Sequence, residues 1–255
     1  MKFCPVDRCV NADDAPRCRN CGHVFGKARK EMPASTLSRV PGPKPAPAKT
    51  RSRAGGDVEV RRLGSPGSAR AVLQLIDAEG RTVETFRLQA EPVVLGRSEG
   101  LVTFPDDDLL SPAHLSLRCD GVQAFVRDLK SLHGTFLRAE KVELFDGLEL
   151  LLGGTLLRFT PAGSGWQIAQ RAPDGTTRTA KLEGAFSIGR RGQDLDLDDP
   201  AVSSPHAKVR GGALTDVRSL NGTYYRIPAQ RNEVLDAGGM FRAGRQLFRF
   251  APRGR

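Results

Sequence analysis

Gly96-Arg97 and Gly189-Arg190 each close an apolar run, and each is followed by a Ser-x-x-His step, Ser111 to His114 and Ser203 to His206. A third motif completes each set. It reads Asp128-Leu129-Lys130-Ser131-Leu132-His133-Gly134-Thr135 in one place and Asp216-Val217-Arg218-Ser219-Leu220-Asn221-Gly222-Thr223 in the other. These residue types suit capture of a phosphate group. A guanidinium grips two phosphate oxygens at once, and a serine hydroxyl donates to a third. An imidazole three residues beyond the serine, at the entrance to a strand, is placed to brace the loop. The Asn221 amide carries donors and an acceptor, which suits it to clasping an extended peptide backbone. Gly222 permits the positive φ that such a turn needs.

Three separated motifs recurring in the same order, about ninety residues apart, mark a tandem duplication. The elements that must carry them are short strands. Ala71-Val72-Leu73-Gln74-Leu75-Ile76 opens with β formers, Asp77-Ala78-Glu79-Gly80 is a turn, and Thr82 to Leu88 alternates on the way back. Further strand-like runs follow, punctuated by Gly, Pro and Asp, and no long amphipathic helix interrupts them. The pattern predicts an all-β fold of two antiparallel β-sandwiches in tandem, residues 70–161 and 163–253. Their last runs align well, Leu156-Leu157-Arg158-Phe159 against Leu247-Phe248-Arg249-Phe250. Leu115, Leu117 and Cys119 share one face by the two-residue period, so Cys119 is expected in the core.

The constellation resembles the forkhead-associated (FHA) domain, a phosphothreonine-binding β-sandwich, over about 71–160 and 164–252, that is, twice. In that family loops at one end of the sandwich bind the ligand. The resemblance implies that Arg190 and Ser203 hold phosphate, with Ser204, Ser219 and Asn221 beside them. Arg97, Ser111, Ser131 and His133 would form a weaker first site. It gives Gly96, His114, Gly134, Thr135, Gly189, His206, Gly222 and Thr223 structural roles in the loops. The first set departs more from the family pattern. Pro112 follows Ser111, and His133 stands where the second set has Asn221, which removes the peptide clasp.

The formal charge is +10, but residues 27–70 alone hold eleven Lys or Arg against three acids. The duplicated region is nearly neutral, so a pI near 9.8 says little about a nucleic-acid-binding fold. Residues 27–69 contain Pro41, Pro43, Pro45 and Pro47 and show no sustained periodicity. They read as a basic, disordered linker able to reach roughly 35–40 Å as a coil.

Ahead of it, residues 1–26 carry Cys4, Cys9, Cys18 and Cys21, with Gly22 after the tight Cys-x-x-Cys pair. Four thiolates fit tetrahedral zinc, and so short a segment needs a metal to fold. The absence of a secretory leader argues against disulfides there and places the chain in the cytoplasm. A surrounding βαβ pattern, which a redox pair would have, is missing. The segment resembles a small zinc ribbon.

An enzyme is not expected. Ser111 with His114, or Ser203 with His206, lacks a Gly-x-Ser-x-Gly elbow, and no Walker loop or kinase signature occurs. The expected function is a phosphothreonine-dependent adaptor. Its partners would be threonine-phosphorylated proteins, with a Ser/Thr protein kinase upstream, or its own linker phosphorylated at Thr36 or Thr50. The alternative is nucleic-acid binding through residues 1–70, where Phe3 and Phe25 are the only aromatics available for stacking. No apolar run approaches the roughly twenty residues of a membrane span.

Overall fold

Apolar residues alternating with polar ones set the strands, and aspartate or glycine turns end them. In Ala71–Ile76 the residues Ala71, Leu73 and Leu75 are fully buried. The Asp77 carboxylate then accepts from the backbone N–H groups of Glu79 (3.1 Å) and Arg81 (2.8 Å), and Gly80 takes φ +79°, turning the chain back into Thr82–Leu88. The structure is a computed structural model. It describes residues 71–88 and 91–252 in full, and the backbone of Lys2–Phe3, Val10–Asn11, Lys49–Ser52 and Gly56–Val60. Every regular element among these residues is a β-strand.

The strands form three principal sheets. A ten-stranded sheet runs in the order 177–183, 165–171, 155–162, 149–152, 223–226, 135–139, 240–243, 246–252, 71–76, 82–88. A seven-stranded sheet contains 232–235, 124–128, 115–119, 93–96, 102–103, 56–60 and 49–52, and a five-stranded sheet contains 141–143, 213–216, 207–210, 186–189 and 195–196. Pairing is antiparallel except for two short parallel steps, Leu95 opposite Val102 and Ile188 opposite Leu195. Those two steps depart from the wholly antiparallel expectation. Each follows a Gly-Arg motif whose loop carries the chain back alongside the same strand.

Two hydrophobic cores result, and their membership differs from the expected consecutive sandwiches. One core joins Ala71 through Val126 and Leu137 to Ile227, Leu235, Phe241, Ala243, Phe248 and Phe250. The other joins Leu148, Leu150, Leu152, Leu157 and Phe159 to residues from Ile168 to Leu214. Each core therefore takes its early strands from one sequence repeat and its late strands from the other. The division at 161/163 falls inside a β-hairpin. Thr155–Ala162 pairs with Gly165–Arg171, with Ala162 opposite Gly165 and Gly163 at φ +64°. Two connecting residues suit a hairpin between adjacent antiparallel strands. The last strand of the first repeat thus bonds the first strand of the second, and Gln246–Pro252 correspondingly bonds Ala71–Ile76.

At the centre Thr135–Ala139 pairs antiparallel with Thr223–Arg226, and Leu137 faces Tyr225, the same position of the repeat. The two repeats are related there by a local pseudo-twofold axis.

Part of the expected linker is also a strand pair. Lys49–Ser52 pairs with Gly56–Val60, and Glu59 and Val60 pair with Thr103 and Val102. The disorder expected for 27–69 therefore does not extend over those strands. The segment extends the sheet at the Val102–Thr103 edge through antiparallel backbone pairing. Thr50 lies in this hairpin, opposite Val58. Cys4, Cys9, Cys18, Cys21 and Thr36 lie outside the described residues. Cys119 is buried in the first core, as its strand parity predicts. Among the described residues no helix is long and apolar enough to cross a membrane.

Candidate functional site

The second set of motifs converges at one end of the five-stranded sheet. Phe186–Gly189 delivers Arg190, whose backbone N–H donates to the Ser203 carbonyl at 3.0 Å. The two side chains therefore leave from hydrogen-bonded backbone positions. The Arg190 side chain is exposed and has no hydrogen bond or ion pair among the described residues. Ser203 Oγ accepts from the Leu220 N–H at 3.0 Å, so its own proton is available to an incoming oxygen. The Cβ of any larger residue at Gly189 would stand 2.9 Å from the Ser203 carbonyl oxygen, so the close approach of these loops needs glycine.

His206 fixes that approach. Its Nδ1 accepts from the Ser203 N–H at 3.1 Å, and its Nε2 lies 3.3 Å from the Gly222 carbonyl. These partners select the neutral tautomer with the proton on Nε2. Burial holds the imidazole below the usual histidine range, against the opposing pull of Asp216 and the Gly222 carbonyl. The His206 imidazole thus bonds backbone on both sides, which pairs neither ring nitrogen with a hydroxyl.

Asp216 organises the third loop. It accepts from the Ser219 N–H (2.7 Å), the Ser219 hydroxyl (2.6 Å) and the Thr223 hydroxyl (2.9 Å). Burial alone would raise this carboxyl, but the hydrogen bonds from Ser219 and Thr223 and the neighbouring His206 bring it below the usual range. Gly222 sits at φ +77° and donates its N–H to Ser219 Oγ at 3.0 Å. Asn221 donates from Nδ2 to the Ala201 carbonyl at 2.7 Å, which orients the amide and leaves Oδ1 as an acceptor.

The first set repeats the frame. Arg97 N–H donates to the Ser111 carbonyl at 2.9 Å, and Ser111 Oγ accepts from Leu132 N–H at 3.0 Å. His114 accepts from Ser111 N–H (3.2 Å) and lies 3.1 Å from the Gly134 carbonyl, and burial again holds its imidazole below the usual histidine range. Asp128 takes the hydroxyls of Ser131 (2.5 Å) and Thr135 (2.8 Å). Gly96 allows the backbone of Pro112 and Ala113 within a distance that a Cβ would block. His133 replaces the asparagine and is solvent-exposed; partial desolvation first, then Arg171 and Arg226, hold its imidazole low, against Asp108 and Asp107.

Three expected phosphate contacts are placed otherwise. Ser131 and Ser219 are buried, and each hydroxyl donates to its aspartate while accepting from a glycine N–H. They brace the loop and have no proton left for a ligand. Ser204 Oγ hydrogen-bonds the Arg191 carbonyl and accepts from the Arg191 N–H at 3.2 Å, so it ties two loops together.

The sequence reading gave no role to Asp128 and Asp216, although both open the repeated octapeptide. It also missed two arginines that cross between repeats. Arg138 Nε would stand 2.6 Å from a Cβ built on Gly222, and Arg226 Nε 2.3 Å from one on Gly134. Nothing local in the sequence signals either contact, because each depends on the central pairing of Thr135–Ala139 with Thr223–Arg226.

The FHA domain family model matches residues 93–153, so an FHA domain is present. Curated relatives include an oxoglutarate dehydrogenase inhibitor from Corynebacterium diphtheriae, 35% identical over 90 residues, which are 33% of this chain and 63% of that protein. Another is the glycogen accumulation regulator GarA of Mycolicibacterium smegmatis, 36% identical over 90 residues, 33% of this chain and 57% of its own. The chain thus spans less than two thirds of the length of these relatives. A solved structure, described as a structural and functional analysis of phosphothreonine-dependent FHA domain interactions, aligns with 72% of this chain and 98% of its own at 16% identity and TM-score 0.32.

Proposed function

We propose that this chain, which carries an FHA domain, is a phosphothreonine-dependent binding adaptor in Ser/Thr kinase signalling, and that its second site is the more competent reader. One observation carries the choice of site. At the second site an Arg190 guanidinium and a Ser203 hydroxyl proton, neither with a partner among the described residues, leave from bonded backbone positions, and Asn221 stands beside them with an acceptor those residues leave open. The first site keeps Arg97 and Ser111, but His133 replaces the clasp.

A phosphothreonine brings a charge of about −1.5 to −2 at neutral pH. The arginine contributes charge-assisted hydrogen bonds of about 1.5–3 kcal/mol each, so Arg190→Ala is expected to weaken binding at least a hundredfold. The partners proposed are threonine-phosphorylated proteins supplied by a Ser/Thr protein kinase. The relatives named as an inhibitor and as a regulator support a binding role over a catalytic one.

The test is calorimetry on the full chain with a phosphothreonine peptide and its unphosphorylated twin. Each late strand of one repeat completes the other repeat's core, so an excised repeat is not a fair sample. Equal binding of the two peptides, or full binding by Arg190→Ala together with Arg97→Ala, would defeat the proposal.

A further inference from the structure

Arg138 and Arg226 occupy the same position in the two repeats, and each crosses to lie against the turn glycine of the other. Their surroundings differ. Arg226 Nη1 bonds Glu149 Oε2 at 2.6 Å, so the arginine beside the first site is neutralised. Glu149 begins the strand Glu149–Leu152, and the residue that begins the equivalent strand, Met240–Ala243, is Met240. Among the described residues Arg138 Nη1 accordingly meets only Met240 Sδ, at 3.3 Å. A thioether is a weak, uncharged acceptor. Arg138 is exposed and has no ion pair among the described residues. The neighbouring Arg242 is engaged, with Nη1 donating to the Gly153 carbonyl at 2.8 Å and its guanidinium 5.3 Å over the Tyr224 ring.

One unneutralised guanidinium therefore stands against Gly222, the residue next to Asn221. A peptide held by Asn221 must run past that turn. We propose that Arg138, supplied by the first repeat, is a specificity-determining residue of the second site and selects ligands with a carboxylate near the phosphothreonine. This rests on the phosphothreonine reading of the second site. The first site, where Glu149 occupies the corresponding arginine, lacks this preference. Ligand choice is thus divided between the repeats: one supplies the phosphate grip, and the other the cation that reads the flank.

The experiment uses the full chain carrying Arg97→Ala and two phosphothreonine peptides. One has Asp and Glu flanks, and the other replaces each by Asn or Gln. The acidic peptide is expected to bind about tenfold tighter, a ratio that shrinks with added salt. Arg138→Gln is expected to bring the ratio close to one. Met240→Glu should do the same while keeping the arginine, by rebuilding the pairing seen between Arg226 and Glu149, and should leave the amide peptide's affinity as it was. Equal binding of both peptides by the Arg97→Ala protein overturns the inference alone. A preference that survives both further substitutions also overturns it. Failure to bind either phosphopeptide removes the phosphothreonine reading and this inference with it.

Discussion

Cutting the chain between Gly163 and Ser164 distinguishes an exchanged architecture from two sandwiches in a row. Both residues are exposed in the hairpin turn, so a specific protease site placed there disturbs little packing. The cut leaves two fragments, and each still shares both cores. Leu148, Leu150, Leu152, Leu157 and Phe159 of the first fragment are buried against the second fragment's strands. Ile227, Leu235, Phe241, Phe248 and Phe250 of the second are buried against the first fragment's. At about 1.5–3 kcal/mol for each such side chain, these ten contribute roughly 15–30 kcal/mol of gross apolar burial across the cut. Association opposes this with a cost of about 4–15 kcal/mol. The midpoints of these ranges leave a surplus of about 13 kcal/mol, of the order of nanomolar cohesion, and the ladders between Ala71–Ile76 and Gln246–Pro252 and across the central strands add to it. Cleaved protein should elute from a sizing column as one particle at nanomolar concentration and separate only in denaturant. Two independently folded fragments eluting apart in native buffer would refute the exchange.

Three other outcomes are expected. Asp216→Ala strips the Ser219 and Thr223 hydroxyls and the Ser219 N–H of their acceptor in one buried loop, and should cost about 2–4 kcal/mol in urea unfolding; a loss under about 0.5 kcal/mol contradicts the bracing role. Because the Asp216 carboxyl is held below its ordinary value of 3.8, its contribution is complete above that pH and fades as pH falls through the folded value, so wild type and variant should converge in acid. Elemental analysis of the full chain should find one zinc per molecule, lost on replacing Cys18 and Cys21 by serine; metal-free protein with an unchanged N-terminal spectrum removes the zinc proposal.

The loops were readable from sequence because their logic is local. Ser-x-x-His places Nδ1 of the histidine three residues from the N–H it accepts, and Asp-x-x-Ser-x-x-Gly-Thr closes on itself through the aspartate. The same closeness explains the misassignment of Ser131 and Ser219. A serine beside a binding loop looks like a ligand contact until the acceptor of its proton is known, and that acceptor was Asp128 or Asp216, residues to which no role had been given. The strands were readable from their two-residue period, as in Ala71–Ile76. The hairpin at 49–60 was not, since Arg, Gly and Asp fill it and the edge of Val102–Thr103 supplies its partner.

By itself the sequence determined that there are two sets of strands and two matching loop clusters, because turn chemistry and alternation are written within a few residues. It could not determine which late strand completes which core. Leu156-Leu157-Arg158-Phe159 and Leu247-Phe248-Arg249-Phe250 present the same apolar faces and the same backbone donors, so either satisfies either edge. Tertiary structure decided the matter through chain geometry. Two residues between Ala162 and Gly165 favour a hairpin there, and once that pairing forms, the remaining strands close crosswise and carry Arg138 to the turn of the other repeat.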